Sequence, residues 1–349
     1  MSTASPPRNF SHWNWLLARI AESTPADPCP VDGGRPDIEA WQQRAYERLS
    51  SLVPARPHVP LNVETTETVD CDTYLRHRIV YDSEPDMSVP AYLLVPKART
   101  TGGPAVLAQH GHGPGKSQVV GLPGEAGGEA SENADYGHQL ALRGYVVLAP
   151  DLRGFGERSD WNPPNIYHCD YSQMHTTMLG IDMLALDLWD LARGLDLLSE
   201  HPLVDPERLG MVGLSQGGTC TLFLSALDRR ICAAVVSGYF SSIRASAAIP
   251  WNMCGSQVLR GMLGTFEHVD LAALIAPRAL LVESGSEDMI FPATVAAAEH
   301  AKLTNVYTAL GVPENTEIEV LDGGHAWHGL RAYPFLERHL RMNVTFNEG

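Results

Sequence analysis

From about residue 76 onward, short apolar runs alternate with longer amphipathic segments. The runs at residues 146–149 and 279–282 are almost wholly apolar, which is typical of strands buried on both faces of a parallel sheet. The pattern predicts eight strands, at residues 77–81, 91–95, 105–109, 145–149, 209–214, 232–237, 279–284 and 317–321. It predicts crossover helices between them, at residues 136–143, 177–200, 217–227, 293–303 and 330–341.

This alternation predicts an α/β fold for residues 76–349, with a mostly parallel, doubly wound sheet of about eight strands. Residues 1–75 read instead as an N-terminal helical extension. Its helices are expected near residues 13–21 and 37–52, with Asp37 as the N-cap of the second. The extension either covers core surface or shapes a pocket or dimer contact, and the sequence leaves both open.

Residues 238–269, after the sixth predicted strand, break the alternation and read as an insertion rich in aromatic residues and Met. Ligands of open α/β sheets bind beyond the carboxyl ends of the strands, so this segment is a candidate pocket wall or lid. Local core packing is an equal alternative, because aromatic residues and Met serve both purposes. We expect Tyr239 and Trp251, together with the later Trp327, to contact substrate.

The segment Gly213, Leu214, Ser215, Gln216, Gly217 lies between an apolar strand and a segment compatible with a helix. Small residues on both sides let a strand and a helix approach each other at a sharp turn, where Ser215 would be exposed as a nucleophile. The alternative is that Ser215 only caps the helix.

Two further motifs follow predicted strands: His-Gly-His-Gly at residues 110–113 and Asp-Leu-Arg-Gly-Phe-Gly at residues 151–156. With the serine motif, they make residues 76–341 resemble the α/β-hydrolase superfamily, and within it the dienelactone hydrolase and acetyl xylan esterase-like branch. Residues 1–70 lie outside this resemblance. The resemblance implies an α/β-hydrolase fold and a catalytic triad in the chain order Ser, acid, His.

His325 is the predicted base, because it follows the last strand through a Gly-Gly turn, near the C-terminus where the superfamily places its histidine. His328 is the rival. The predicted acid is Asp288, which follows the strand at residues 279–284 and matches the family's spacing ahead of a proline. Glu287 is expected to face solvent, and Asp322 to cap its own turn.

The oxyanion hole of such an enzyme needs two backbone N–H donors. One is expected from Gln216, directly after the nucleophile. By resemblance, His112 supplies the second. Arg153 is expected to be a structural ion-pair partner rather than a catalytic residue.

The net charge of −16 disfavours nucleic acid and anionic membranes as partners. The chain has no apolar run of about 18 residues and no signal-peptide pattern at its start, so we expect a cytoplasmic protein. Its six cysteines are scattered, and most of them are expected to be buried free thiols. Neither the His110 and His112 pair nor the run His168, Cys169, Asp170 has the spacing of a zinc site, so no metal and no cofactor is expected.

The predicted function is hydrolysis of a small-molecule carboxylic ester, with a short acyl group, through an acyl-enzyme on Ser215. Cleavage of a lactone, peptide or C–C bond by the same triad is an alternative, because fold and triad do not separate these reactions. A hydrolase-fold binding protein without catalysis is a third interpretation. Assembly into a homo-oligomer is left open.

Overall fold

The computed structural model describes residues 8–123, 134–159, 168–250 and 252–340. Over these residues the chain forms one nine-stranded sheet in the spatial order β1-β2-β3-β5-β4-β6-β7-β8-β9. The strands are β1 Glu64–Asp70, β2 Tyr74–Glu84, β3 Met87–Pro96, β4 Gly103–Gln109, β5 Val146–Pro150, β6 Val204–Leu214, β7 Ile231–Ser237, β8 Ala279–Gly285 and β9 Thr316–Leu321.

Strands β1 to β3 form an antiparallel meander that joins β5 antiparallel, whereas β5, β4 and β6 to β9 run parallel. The predicted mostly parallel, doubly wound sheet is therefore confirmed. Successive residues of the central strands point into two separate cores, one holding Leu107 and Leu148 and the other Val106 and Val147. Both faces are covered, which explains the nearly continuous apolar runs.

The described residues also form eleven α-helices. They are α1 His12–Glu22, α2 Arg35–Leu52, α3 Lys116–Val119, α4 Tyr136–Leu142, α5 His168–Met178, α6 Met183–Glu200, α7 Gln216–Leu227, α8 Ile243–Ala247, α9 His268–Ile275, α10 Ala293–Ala309 and α11 Ala332–Leu340. Helices α2, α6, α7, α9 and α10 pack on one face of the sheet, and α3, α4 and α11 on the other.

The sheet has one strand more than the sequence predicted, and that strand, β1, lies within the segment expected to be helical. Its sequence, Glu-Thr-Thr-Glu-Thr-Val-Asp, buries no residue, because β1 is an edge strand whose two faces meet solvent. Such a strand leaves no hydrophobic alternation to detect. The insertion consequently follows the seventh strand, β7, rather than the sixth.

Two helix predictions also need correction. The helix expected at residues 177–200 starts too early: residues 177–178 end α5, which was not predicted, and α6 begins only after Gly180, whose φ of +77° a helix does not accommodate. Helix α2 begins earlier than expected, with Gly34 at the N-cap. Asp37 lies in its first turn instead, where its carboxylate accepts the Gly34 N–H at 3.1 Å.

The N-terminal extension covers core surface. Helix α2 buries Ile38, Trp41, Ala45 and Leu49 in the core on its face of the sheet. Within the described part of the chain, no residue before Gly111 lines the cleft that holds Ser215. None of the described helices combines the length and the apolarity needed to cross a membrane.

Candidate active site

Ser215 occupies the sharp turn between β6 and α7. Its backbone has φ 59° and ψ −115°, a strained conformation for a residue with a side chain. A Cβ atom at Gly213 would lie 2.3 Å from the Gly217 carbonyl oxygen, and one at Gly217 would lie 2.1 Å from that of Gln109. Glycine is therefore required on both sides of the turn, as the sequence indicated.

His325 and Asp288 meet at the carboxyl edge of the sheet, beyond β9 and β8. The distance from His325 Nδ1 to Asp288 Oδ2 is 2.8 Å. The other carboxylate oxygen of Asp288 accepts the N–H groups of Ile290 and Phe291, at 2.8 and 3.0 Å. Burial raises the pKa of Asp288, but the hydrogen bonds from His325 and the backbone outweigh it and hold that pKa below its usual value.

The second ring nitrogen of His325, Nε2, is buried and has no hydrogen-bond partner among the described residues. His325 lines the same cleft as Ser215. A histidine whose Nδ1 is bonded to a carboxylate presents Nε2 as its basic atom. The fold thus places Ser215 and His325 in the wall of one cleft, with Asp288 bonded to His325 and the second ring nitrogen unpartnered among the described residues.

Gly238, directly after β7, makes room for this histidine. Its φ is +56°, and a Cβ atom there would lie 3.0 Å from His325 Cε1 and 3.1 Å from Leu214 Cδ1. A side chain at this position would be strained and would also press on the imidazole. Gly238 shows no sign of this role in the sequence, because the role depends on a contact across 87 residues of chain.

The rival residues are placed elsewhere. Glu287 is exposed, as expected, and Asp322 is exposed as well, while its expected capping of its own turn stays a prediction. His328 is tied to the buried Glu283 rather than to Asp288, because its backbone N–H donates to the Glu283 carboxylate, which also accepts from Ser237 Oγ and Gly329 N. Burial raises the pKa of Glu283 despite these three donors. Glu283 therefore ties the loop that carries His325 to the ends of β7 and β8.

Of the two predicted oxyanion residues, His112 lines the cleft, and Gln216 is buried directly after Ser215. Gln216 is the first residue of α7, so its N–H has no acceptor within the helix. The loop with His112 also comes close, because a Cβ atom on the neighbouring Gly111 would lie only 3.2 Å from Ser215 Cβ. Donation by the Gln216 and His112 N–H groups to an oxyanion stays a prediction.

The side chains around these two donors have structural partners. Gln216 Nε2 donates to Ser256 O at 2.8 Å, which joins the start of α7 to the insertion. His110 is buried, and its Nε2 accepts the Leu152 N–H at 3.0 Å. Arg153 pairs with Asp190 at 2.8 Å and with Glu84 at 2.6 Å, as its expected structural role requires.

The cleft above Ser215 has a volume of about 440 Å³. Its wall includes apolar side chains, such as Met253 and Ile290, and polar ones, such as Asn252 and Gln257. The insertion after β7 supplies several of these residues. Its buried aromatic residues pack in the core instead, so the segment fills both roles that the sequence left open.

The expected aromatic substrate contacts need correction. Tyr239 is fully buried against the rings of His268 and Phe291. Trp327 is 2% exposed and stacks on Tyr136, with ring centroids 4.5 Å apart. Neither lines the cleft, because both side chains point into the core. Trp251 lies outside the described residues.

Two cysteines meet His112 beside the cleft, which the sequence did not indicate. The Nε2 atom of His112 lies 3.0 Å from Cys254 Sγ and 3.7 Å from Cys169 Sγ. The hydrogen bond from Cys169 lowers the pKa of Cys254 against the effect of burial. The same bond, together with burial, raises the pKa of Cys169. Separations of 57 and 142 residues carry no spacing signal.

The fold and the residues at the strand ends define the chain as an α/β hydrolase. The chain belongs to the Abhydrolase family, whose model matches residues 4–308. This match extends the family likeness to the N-terminal helices, which the motif resemblance had left out.

Individual relatives agree with this classification. A presumed hydrolase of Bacillus subtilis, YtaP, is 26% identical over 294 residues, 82% of this chain and 94% of its own. A presumed acetyl xylan esterase of Bacteroides fragilis has a similar structure, with a TM-score of 0.78, 18% identity and coverage of 91% of this chain and 84% of that one. A glucuronoyl esterase of Solibacter usitatus has a TM-score of 0.64 and 16% identity, with coverage of 92% of this chain and 98% of that one.

Proposed function

We propose that the protein is a serine-dependent carboxylic ester hydrolase with Ser215 as nucleophile, His325 as base and Asp288 as the acid that orients it. The observation that carries the proposal is the bond of 2.8 Å from His325 Nδ1 to Asp288 Oδ2, with Nε2 buried and unpartnered beside the cleft of Ser215. A binding protein would have no chemical need for this arrangement.

In the proposed reaction, His325 Nε2 takes the proton of Ser215 Oγ as the oxygen attacks the ester carbonyl. The oxyanion that forms is stabilised by the Gln216 and His112 N–H groups. His325 then gives the proton to the departing alcohol, and the acyl group stays on Ser215. Water, activated by the same nitrogen, releases the acid and restores the enzyme.

The proposed substrates are short-acyl esters, acetyl esters above all. A cleft of about 440 Å³ lies in the range of sites that hold small ligands, and its mixed polar and apolar wall suits a small acyl group on a polar alcohol. The relatives named as acetyl xylan and glucuronoyl esterases support the ester bond as the target. The small-molecule partner and the cytoplasmic location stay predictions.

A series of nitrophenyl esters from acetate to dodecanoate tests the proposal. We expect the highest kcat/KM for acetate, and a loss of at least about 10⁴-fold in kcat in the Ser215→Ala variant with its fold retained. Ser286→Ala is the matched control, because Ser286 is exposed on the loop that carries Asp288. Undiminished turnover in Ser215→Ala would refute the assignment.

A second pair of variants separates the histidines. His325→Ala should lose activity to the same extent as Ser215→Ala, whereas His328→Ala should keep it within about tenfold, because Glu283 is bonded to the His328 backbone. Labelling by a fluorophosphonate distinguishes an enzyme from a binding protein. If Ser215 does not react with the probe, a binding function replaces the one proposed.

A further inference from the structure

Three side chains from separate parts of the chain bring one ligand atom each to a common point beside the cleft. They are His112, on the loop after β4, Cys169, in the first turn of α5, and Cys254, in the insertion after β7. Their Nε2 and Sγ atoms all lie within 4.8 Å of one another. We call these three residues the cysteine cluster.

The separations in the cysteine cluster can be compared with the edges of a tetrahedral zinc site. With Zn–S bonds of about 2.3 Å and Zn–N bonds of about 2.0 to 2.1 Å, an N–S edge measures about 3.6 Å and an S–S edge about 3.8 Å. The observed distances from His112 Nε2 to the two sulfur atoms are 3.0 and 3.7 Å. The Cys169 distance thus fits an N–S edge, and the Cys254 distance would have to lengthen by about 0.6 Å to admit an ion.

Backbone packing already holds the two cysteines together. A Cβ atom at Gly255 would lie 2.7 Å from the Cys169 carbonyl oxygen and 2.4 Å from Gln173 Cβ, so only glycine allows the insertion to approach α5 this closely. The Gly255 N–H donates to Asp170 Oδ1 at 2.7 Å, and Ser256 Oγ lies 3.1 Å from Cys254 Sγ. These contacts would hold the side chains that bind a metal in their positions.

We propose that the cysteine cluster is a zinc-binding site, with His112 Nε2, Cys169 Sγ and Cys254 Sγ as ligands and the fourth position open toward the cleft. The site departs from our expectation, based on sequence spacing, that the protein has no metal. His112 and Cys254 both line the cleft, so the fourth ligand comes from that side, as water or a substrate oxygen.

Zinc binding at this site needs no further reactant. Each thiol releases one proton as its Zn–S bond forms, and the ion loses water molecules; no electron is transferred. The two thiolates neutralise the charge of Zn²⁺, and neutral His112 adds the third bond. Sulfur and imidazole ligands select zinc over magnesium or calcium, which prefer oxygen.

Zinc titration of the full-length protein, reduced and stripped of metal, tests the proposal. In competition with a chromophoric chelator we expect one Zn²⁺ per chain, and a Kd at least about 100-fold higher in Cys169→Ser and in Cys254→Ser. Cys232→Ser is the control, because Cys232 is also a free cysteine but lies outside the cluster. Cobalt at the site should give a sulfur-to-metal charge-transfer band that Cys169→Ser removes.

A Kd that is the same in wild type and both cluster variants would overturn the proposal. If either variant fails to fold, thiol alkylation of the wild type decides instead. Zn²⁺ should protect Cys254 from the reagent but leave Cys232 reactive, and equal labelling of Cys254 with and without zinc counts against the site. Ser215→Ala should bind zinc as tightly as wild type, so this test is independent of the hydrolase proposal.

Discussion

Two groups of side chains each contribute two members to the wall of the same cleft, but they are built in different ways. Ser215, Asp288 and His325, which we call the triad cluster, follow the ends of β6, β8 and β9, three parallel strands of the buried sheet. The cysteine cluster takes its ligands from a loop, a helix start and an insertion. The hydrogen-bonded sheet sets the positions of the residues in the triad cluster. The packing of the segments that connect the strands sets the positions of the residues in the cysteine cluster.

Because of this difference, we expect the two clusters to respond differently to substitutions. Asp288 is held by two backbone N–H groups, and the loop of His325 is tied to Glu283, so the triad cluster has little freedom. The cysteine cluster depends on the close approach of the insertion to α5 at Gly255 and on the Gly255 bond to Asp170. We expect substitutions near the first group to reduce kcat and those near the second to alter substrate binding.

Beyond the Ser215 and His325 variants, Asp288→Asn should have the largest effect, a loss of about 10³- to 10⁴-fold in kcat for acetyl esters. The asparagine oxygen can still accept the Ile290 and Phe291 N–H groups, but its amide presents donors to His325 Nδ1 and disfavours the required tautomer. The measurement is kcat by steady-state kinetics, with Glu287→Gln as an exposed control. Activity within tenfold of wild type would mean that Asp288 is not the acid.

Gly238→Ala should reduce kcat by about 10- to 100-fold, because the new Cβ atom would lie 3.0 Å from His325 Cε1 and displace the imidazole. Gly261→Ala is a matched control: Gly261 also has a positive φ, +78°, but a Cβ atom there would meet no other atom within 4 Å. Equal activity losses in the two variants would attribute the effect to backbone strain rather than to the histidine contact.

Gly255→Ala should raise KM by about three- to tenfold for esters of bulky alcohols and leave kcat for nitrophenyl acetate within about twofold. The added Cβ atom would push the insertion away from Cys169 and Gln173 without touching the triad cluster. Gly264→Ala, at a position with open space, is the control. A fall in kcat larger than the rise in KM would show that the two groups are coupled.

The smallest expected effect is a dependence of stability on pH. Because the folded-state pKa of Asp288 lies below that of the unfolded chain, about 3.9, ionised Asp288 stabilises the fold above that pH. This contribution is lost as pH falls through the lower, folded-state pKa. Denaturant unfolding should therefore show the free-energy difference between wild type and Asp288→Asn shrinking from pH 6 to pH 3. A difference that stays constant would contradict the lowered pKa.

The sequence predicted most of the sheet because the central strands are buried on both faces and therefore read as apolar runs. It missed β1, whose exposed edge position leaves no hydrophobic pattern. It also missed most of α5, and it started the helix that is α6 at residue 177, before the break at Gly180. Tyr239 and Trp327 were wrongly expected at the cleft. The local sequence does not distinguish an aromatic residue that is buried in the core from one that lies in a pocket wall.

By itself, the sequence determined the order of the strands along the chain, the glycines of the Ser215 turn and the sequence positions of Asp288 and His325. These features are local, since each depends on burial of a strand or on the residues just beyond its end. Only the tertiary structure decided which ring nitrogen of His325 is unpartnered, why Gly238 has to be small, and that His112, Cys169 and Cys254 meet. Those facts depend on contacts between distant segments of the chain. Side-chain packing across the sheet edge produces no periodic pattern in the sequence.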